Sequence, residues 1–138
     1  PVATALRASL WIEQGDRFVE GGYAPTRRLL SLPCRPTAIL VCNQRLAAEV
    51  VLALAQEGIA VGRDISVLSM AGPEKLAVQP QLAKVVADMC EVTRLAVRAL
   101  FDQIAGVTRP MKILVPETLV PGPSCGPPAG SAGRGQGG

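Results

Sequence analysis

The stretch PTAILVCNQRLAAEVVLALAQEG, Pro36 to Gly58, constrains the fold of this chain more than any other part of it. Thr37 to Cys42 is a short, nearly all-apolar run with β-branched residues, the pattern of a strand buried on both faces in a parallel sheet covered by helices. From Leu46 apolar residues recur at Val50 and Leu54, with Ala47 and Val51 beside them, until Gly58 ends the pattern. The reading is a strand, a tight Asn43-Gln44-Arg45 elbow, a helix and its C-terminal glycine.

The same alternation continues on both sides. Ala8 to Ile12 reads as a strand running into Glu13-Gln14-Gly15-Asp16, and Thr26 to Leu32 as a helix. Pro25 lacks an N–H and clashes with the carbonyl four residues back, so it is expected at the first helical position or at a kink. Asp64 to Met70 (DISVLSM) reads as a second buried strand with Met70 in the core, and Leu82 to Ala87 as a third. Asp88 with Glu91 three residues on fits a capping box. It opens a helix whose apolar positions Val92, Leu95, Ala96, Ala99, Leu100 and Ile104 leave Arg94, Arg98 and Asp102 outward. Met111 to Val120 reads as a terminal strand.

From Pro121 the composition collapses to Gly, Pro, Ala and Ser. Residues 1–120 therefore read as one α/β lobe of order β-α-β-α-β-β-α-β with parallel strands, and residues 121–138 as a disordered tail. Three strand-end elbows qualify as ligand sites, at Gly15 to Phe18, Asn43 to Arg45 and Ser69 to Gly72, because ligands bind beyond the carboxyl ends of such strands.

Several function classes are disfavoured by what is missing. No run of 18 apolar residues and no signal segment is present, so a soluble cytoplasmic chain with no membrane partner is the expectation. The net charge of +3 comes from scattered arginines rather than a basic stripe, and does not indicate nucleic-acid binding by these residues. The four cysteines, Cys34, Cys42, Cys90 and Cys125, form no CxxC pair and the chain has no histidine. Reduced, mostly buried thiols are expected, with no metal and no cofactor. GPSCG, Gly122 to Gly126, matches the G-x-S-x-G nucleophile pattern. That motif needs a following helix and a histidine base, and here Pro127 and Pro128 follow, so the match is accidental and a hydrolase is not supported. No enzymatic constellation is found.

The succession GDRFVEGGYAPTRRLLSLPCRPTAILVCNQRLAAEVVLALAQEGIAVGRDISVLSMAG, followed by QPQLAKVV, a helix and ILVPETLV, resembles the effector-binding region of the LacI/GalR family of transcriptional regulators. The resemblance covers Gly15 to Val120. It implies a parallel-sheet, three-layer lobe of a type I periplasmic-binding-protein-like domain, incomplete at its N-terminus, with a further strand and helix before Pro1. It also implies that the helix Glu91 to Ala105 crosses to a second lobe. The polypeptide is then either a fragment of a longer protein or half of an intertwined homodimer. The implied function is non-enzymatic: sensing a small-molecule effector, dimerising, and transmitting occupancy to DNA through a helix-turn-helix domain absent from this chain. A solute-binding receptor feeding a transporter is the alternative on the same fold.

The implied ligand residues are Asn43, Gln44 and Ser69, with Asp16, Arg17 and Phe18 at the first elbow and Ala71 at the third. Two departures bear on the ligand. The family's Asn-Asp is Asn43-Gln44 here, and its Gly-Phe-Asp is Ser69-Met70-Ala71. A carboxylate accepts two hydroxyl donors at once and alanine accepts none, so sugar recognition is weakened. With Arg17 and Arg45 near the same elbows, an anionic or nucleobase-like effector is expected over a neutral sugar. Asn43 itself has two candidate roles: helix cap, as the minimum, and ligand group.

Overall fold

The structure is a computed structural model that describes residues 11–14, 21–70, 77–107 and 112–128. In chain order its elements are α1 (Tyr23–Leu30), β1 (Ala38–Val41), α2 (Gln44–Gln56), β2 (Ser66–Met70), β3 (Ala83–Ala87), α3 (Met89–Ile104) and β4 (Glu117–Val120). The strands make one sheet in the order β1-β2-β3-β4. β1, β2 and β3 are parallel, with Val41 beside Ser69 and Ser69 beside Lys84. β4 runs antiparallel to β3, Lys84 opposite Val120 and Ala87 opposite Glu117. The wholly parallel sheet expected from the alternation is corrected at this last strand, because its direction depends on where α3 returns the chain. Element order does not encode that. Ala8 to Leu10 lies outside the described residues, and Trp11 to Gln14 has no regular structure.

Both helices on the covered face are shaped by their ends. Gly58 has φ 69°, and the N–H groups of Gly58 and Ile59 return to the carbonyls of Ala55 and Leu54, which closes α2 as the sequence predicts. α1 starts at Tyr23, three residues before the expected start, with Pro25 third in the helix. The correction is small in physical terms, since no N–H in the first turn has an intrahelical partner for proline to forfeit. Thr26 then makes the first backbone bond to Gly22, and its hydroxyl donates to the same carbonyl. Gly22 also seats α1 on α2: its N–H donates to Glu49 Oε2 at 2.7 Å. A Cβ there would lie 2.5 Å from the Leu46 carbonyl oxygen.

α2 packs against one face of β1 and β2, and α1 packs on α2 and adds Leu30 to the same core. The core consists of Leu30, Ala47, Val50 and Leu54 from the helices, with Ile39, Val41, Ile65 and Val67 below them. The other face is less covered. Leu40, which points there, is 58% exposed, so the expectation that β1 is buried on both faces does not hold. Register puts Leu68, Met70, Val85 and Leu119 on that outer face with Leu40. Met70 is half-buried there rather than in the core.

α3 opens as expected at Asp88, whose Oδ1 accepts from the N–H groups of Cys90 and Glu91. The reciprocal half of a capping box is absent among the described residues: the Glu91 carboxylate takes the Arg94 guanidinium instead, at 2.6 and 2.8 Å. α3 has no buried residue and packs closely on no other element among the described residues. Its half-buried side carries Val92, Leu95, Ala99 and Asp102, and the opposite side exposes Val97, Leu100, Phe101 and Ile104. The expected single apolar face is thus two stripes, and Asp102 is not outward.

The stretch read as a disordered tail begins as an ordered clip. Ser124 is fully buried, with its hydroxyl donating to the Val67 carbonyl at 2.6 Å and accepting from Ala83 N–H at 2.7 Å. Its carbonyl accepts from Val67 N–H at 2.8 Å. Gly126 N–H and carbonyl both pair with the Ser66 hydroxyl at 3.1 Å. Composition misleads over residues 121–128 because two groups, the Ser124 hydroxyl and backbone, supply the bonds that the glycines and prolines around them do not. The serine of the G-x-S-x-G match is therefore a structural one. All four cysteines are free and exposed, which corrects the expectation of buried thiols. Among the described residues no helix is long and apolar enough to cross a membrane, and no cluster could hold a metal ion.

Candidate ligand site at the strand ends

Three parallel strands end at one edge of the sheet, and each end presents a polar group. β1 delivers Asn43, β2 ends at Ser69 and Met70, and β3 delivers Asp88. The register sets Val41, Ser69 and Lys84 level, so Asn43 and Asp88 share one edge of the sheet with β2 between them, two strand spacings or roughly 10 Å apart across the sheet.

Asn43 adopts an extended backbone, φ −138° and ψ 124°, and its Oδ1 accepts from Arg45 N–H at 2.9 Å. This is the cap read from the sequence. An asparagine Oδ1 has a second lone pair and its amide has two donors, so the cap leaves most of the side chain's capacity unused. Asn43 and Gln44 are half-buried, while Arg45 is exposed at the first turn of α2.

Ser69 lies elsewhere. It is buried on the helix-covered face beside Val41, and its hydroxyl donates to the Met70 carbonyl at 3.3 Å. Asp16, Arg17, Phe18 and Ala71 lie outside the described residues, so the first and third elbows are not characterised.

Asp88 was read from the sequence only as a cap. The N–H groups of Cys90 and Glu91 bond to its Oδ1, and its Oδ2 takes no hydrogen bond among the described residues. A carboxylate oxygen at an exposed strand end on the same sheet edge as Asn43 is a ready acceptor. No local motif signals this, since the juxtaposition arises from β3 lying parallel to β2.

Residues 4–125 match the family of periplasmic binding protein-like domains. The ribose operon repressor of Haemophilus influenzae is 28% identical over 108 residues, which are 78% of this chain and 32% of that protein. An HTH-type transcriptional repressor, PurR, of Mannheimia succiniciproducens is 32% identical over 98 residues, 70% of this chain and 29% of that protein. Among solved structures, a LacI family transcriptional regulator from Bifidobacterium animalis superposes with a TM-score of 0.83 at 27% identity, covering 93% of this chain and 48% of the other. The Lac repressor dimer bound to operator and the anti-inducer ONPF gives 0.77 at 26%, covering 89% and 44%. The chain spans about a third of the curated relatives it matches and under half of these structures.

Proposed function

Since this chain belongs to the family of periplasmic binding protein-like domains, we propose that it is the effector-sensing portion of a LacI/GalR-type transcriptional regulator acting in the cytoplasm. The observation that carries the reading is that its curated relatives are named as repressors and its structural neighbours as LacI-type regulators. None of these is named as an enzyme. In this reading DNA is reached through a domain outside these 138 residues, and the regulator works as a homodimer. The solute-binding receptor on the same fold has no support from those names. Determining the coding sequence upstream of Pro1 separates the two: a helix-turn-helix supports the regulator, and a secretion signal overturns it.

The effector is proposed to bind at the Asn43 elbow, with Gln44 next to it, Asp88 on the same sheet edge and Asp16, Arg17, Phe18, Ser69 and Ala71 as further candidates. Anionic and nucleobase-like ligands both suit a site in which Gln44 and Ala71 replace carboxylates. The nucleobase-like class is favoured of the two. The Asn43 amide offers a donor and an acceptor together, and Asp88 Oδ2 adds an acceptor that would repel an anion. A thermal-shift panel on the full-length protein tests this, because a ligand at 100 times its Kd stabilises by about 2.7 kcal/mol. Stabilisation by neutral hexoses and pentoses alone would overturn the assignment.

A further inference from the structure

The sheet consists of two strand pairs joined through one interrupted ladder. β1 and β2 pair along the whole of β1, from Ala38 beside Ser66 to Val41 beside Ser69. β3 and β4 pair from Lys84 opposite Val120 to Ala87 opposite Glu117. Between the pairs, β2 meets β3 only from Leu68 beside Ala83 to Met70 beside Val85. The first two residues of β2 bond instead to the chain that leaves β4: Val67 to Ser124, and the Ser66 hydroxyl to Gly126.

That chain is a strap laid across the amino end of β3. Its buried hydroxyl, Ser124 Oγ, donates to the Val67 carbonyl on β2 and accepts from Ala83 N–H on β3. A Cβ on Gly122 would stand 2.7 Å from the Ala83 nitrogen, so the strap sits on β3 at backbone distance.

The two groups of the candidate site fall on opposite sides of this joint. Asn43 follows β1 and moves with β2, whereas Asp88 follows β3 and moves with β4. A ladder this short leaves β3 free to tilt in the plane of the sheet, and the strap opposes the tilt by tying the strands at the end away from the site. At about 3.3 Å per residue Asp88 stands about 16 Å beyond Ala83, so a tilt of about 5° displaces it by about 1.4 Å. A hydrogen bond does not survive a change of that size.

We propose that Ser124 is a positioning residue for the candidate site. By bonding Val67 and Ala83 it sets the angle between the two strand pairs, and through that angle the span between Asn43 and Asp88. The consequence for effector binding rests on the assignment of the effector to the Asn43 elbow.

The span is read without a ligand. Cys42 directly follows β1 and Cys90 lies in the first turn of α3, both exposed and free, so spin labels on them flank the site. In a Cys34→Ser, Cys125→Ser background, Ser124→Ala is expected to shift or widen the label separation by about 1–2 Å, and Ser66→Ala to do so less. Gly58→Ala, at the end of α2, destabilises through its left-handed backbone without touching the joint, and is expected to leave the span unchanged. Circular dichroism shows whether each variant stays folded. Adenine and uracil are the binding probes, by calorimetric titration of the full chain. Whichever binds the native chain is expected to bind Ser124→Ala about tenfold more weakly and Gly58→Ala equally well. An unchanged span in Ser124→Ala, or in Ser66→Ala should the former unfold, overturns the proposal. So does a span that Gly58→Ala moves equally, or an unchanged base affinity in a chain whose span has moved. If neither base binds the native chain, the nucleobase reading fails and the span alone decides whether Ser124 positions this edge.

Discussion

Ser124 and Val67 are joined twice: the serine hydroxyl donates to the Val67 carbonyl and the Val67 N–H donates to the serine carbonyl, at 2.6 and 2.8 Å. The same hydroxyl accepts from Ala83 N–H, so one side chain bonds two adjacent strands. Ser124→Ala leaves a buried N–H without an acceptor and removes a donor from the Val67 carbonyl. The Val67 carbonyl keeps the Cys125 thiol as a donor at 3.5 Å, so one unsatisfied N–H sets the expected loss at about 1–3 kcal/mol. A urea titration reads it as a lowered midpoint with unchanged slope. A change below 0.5 kcal/mol would show that water replaces the hydroxyl.

Two glycines with positive φ separate backbone strain from contact. Gly58, φ 69°, has open space where a Cβ would stand, so Gly58→Ala is expected to cost about 1–2 kcal/mol for the left-handed backbone alone. At Gly62, φ 86°, a Cβ would meet the Pro123 carbonyl oxygen at 2.1 Å. Gly62→Ala is therefore expected to cost about 3 kcal/mol or more and to release the 121–128 clip. Equal midpoints for the two variants in the same titration would contradict the close approach.

The two roles of Asn43 come apart under conservative substitution. Asn43→Ala removes the cap, at about 1 kcal/mol. Asn43→Asp keeps an acceptor for Arg45 N–H and is expected to hold native stability while weakening effector binding about tenfold, since it lacks the amide donor. Calorimetric titration with whichever ligand the thermal-shift panel selects provides the measurement. Native-like affinity in Asn43→Asp would leave only the cap.

Acid sensitivity is expected at the Ala60–Asp64 turn. The Arg63 guanidinium, and after it the Ala60 N–H, hold the Asp64 carboxyl at about 2 against an ordinary value of 3.8. A depressed folded-state pKa contributes stability that is present above the unfolded value and lost as pH falls through the folded one. The stability difference between the native chain and Asp64→Asn should accordingly be flat above pH 5 and shrink between about pH 4 and 2. Exposure of the pair keeps the effect small and salt-sensitive. Glu91, lowered by its hydrogen bond to Arg94, adds a change of the same sign that Asp64→Asn does not remove.

Local patterns in the sequence were good guides where one residue controls one backbone event. Asn43 and Asp88 as caps and Gly58 as a helix terminator follow from chemistry within a turn, and all three hold. The features that escaped are relations between distant residues. The reversal of β4, the one-sided cover of Leu40 and the placing of Asp88 on the same sheet edge as Asn43 depend on which strand lies beside which. Ser124 escaped for a related reason: in a run of glycine and proline, composition averages over the one hydroxyl that is buried. At the candidate site, the capping role of Asn43 was legible and the placement of Ser69 on the helix-covered face was not.

The double bond between Ser124 and Val67 spans 57 positions of sequence. On a ribosome adding about 5–20 residues per second, Val67 waits roughly 3 to 11 s for its partner to be made. During that interval the seam between β2 and β3 lacks its fastener, and the neighbouring backbone groups are open to any passing strand. The nascent chain therefore needs shelter at β2 until residues 121–128 emerge and end the exposure.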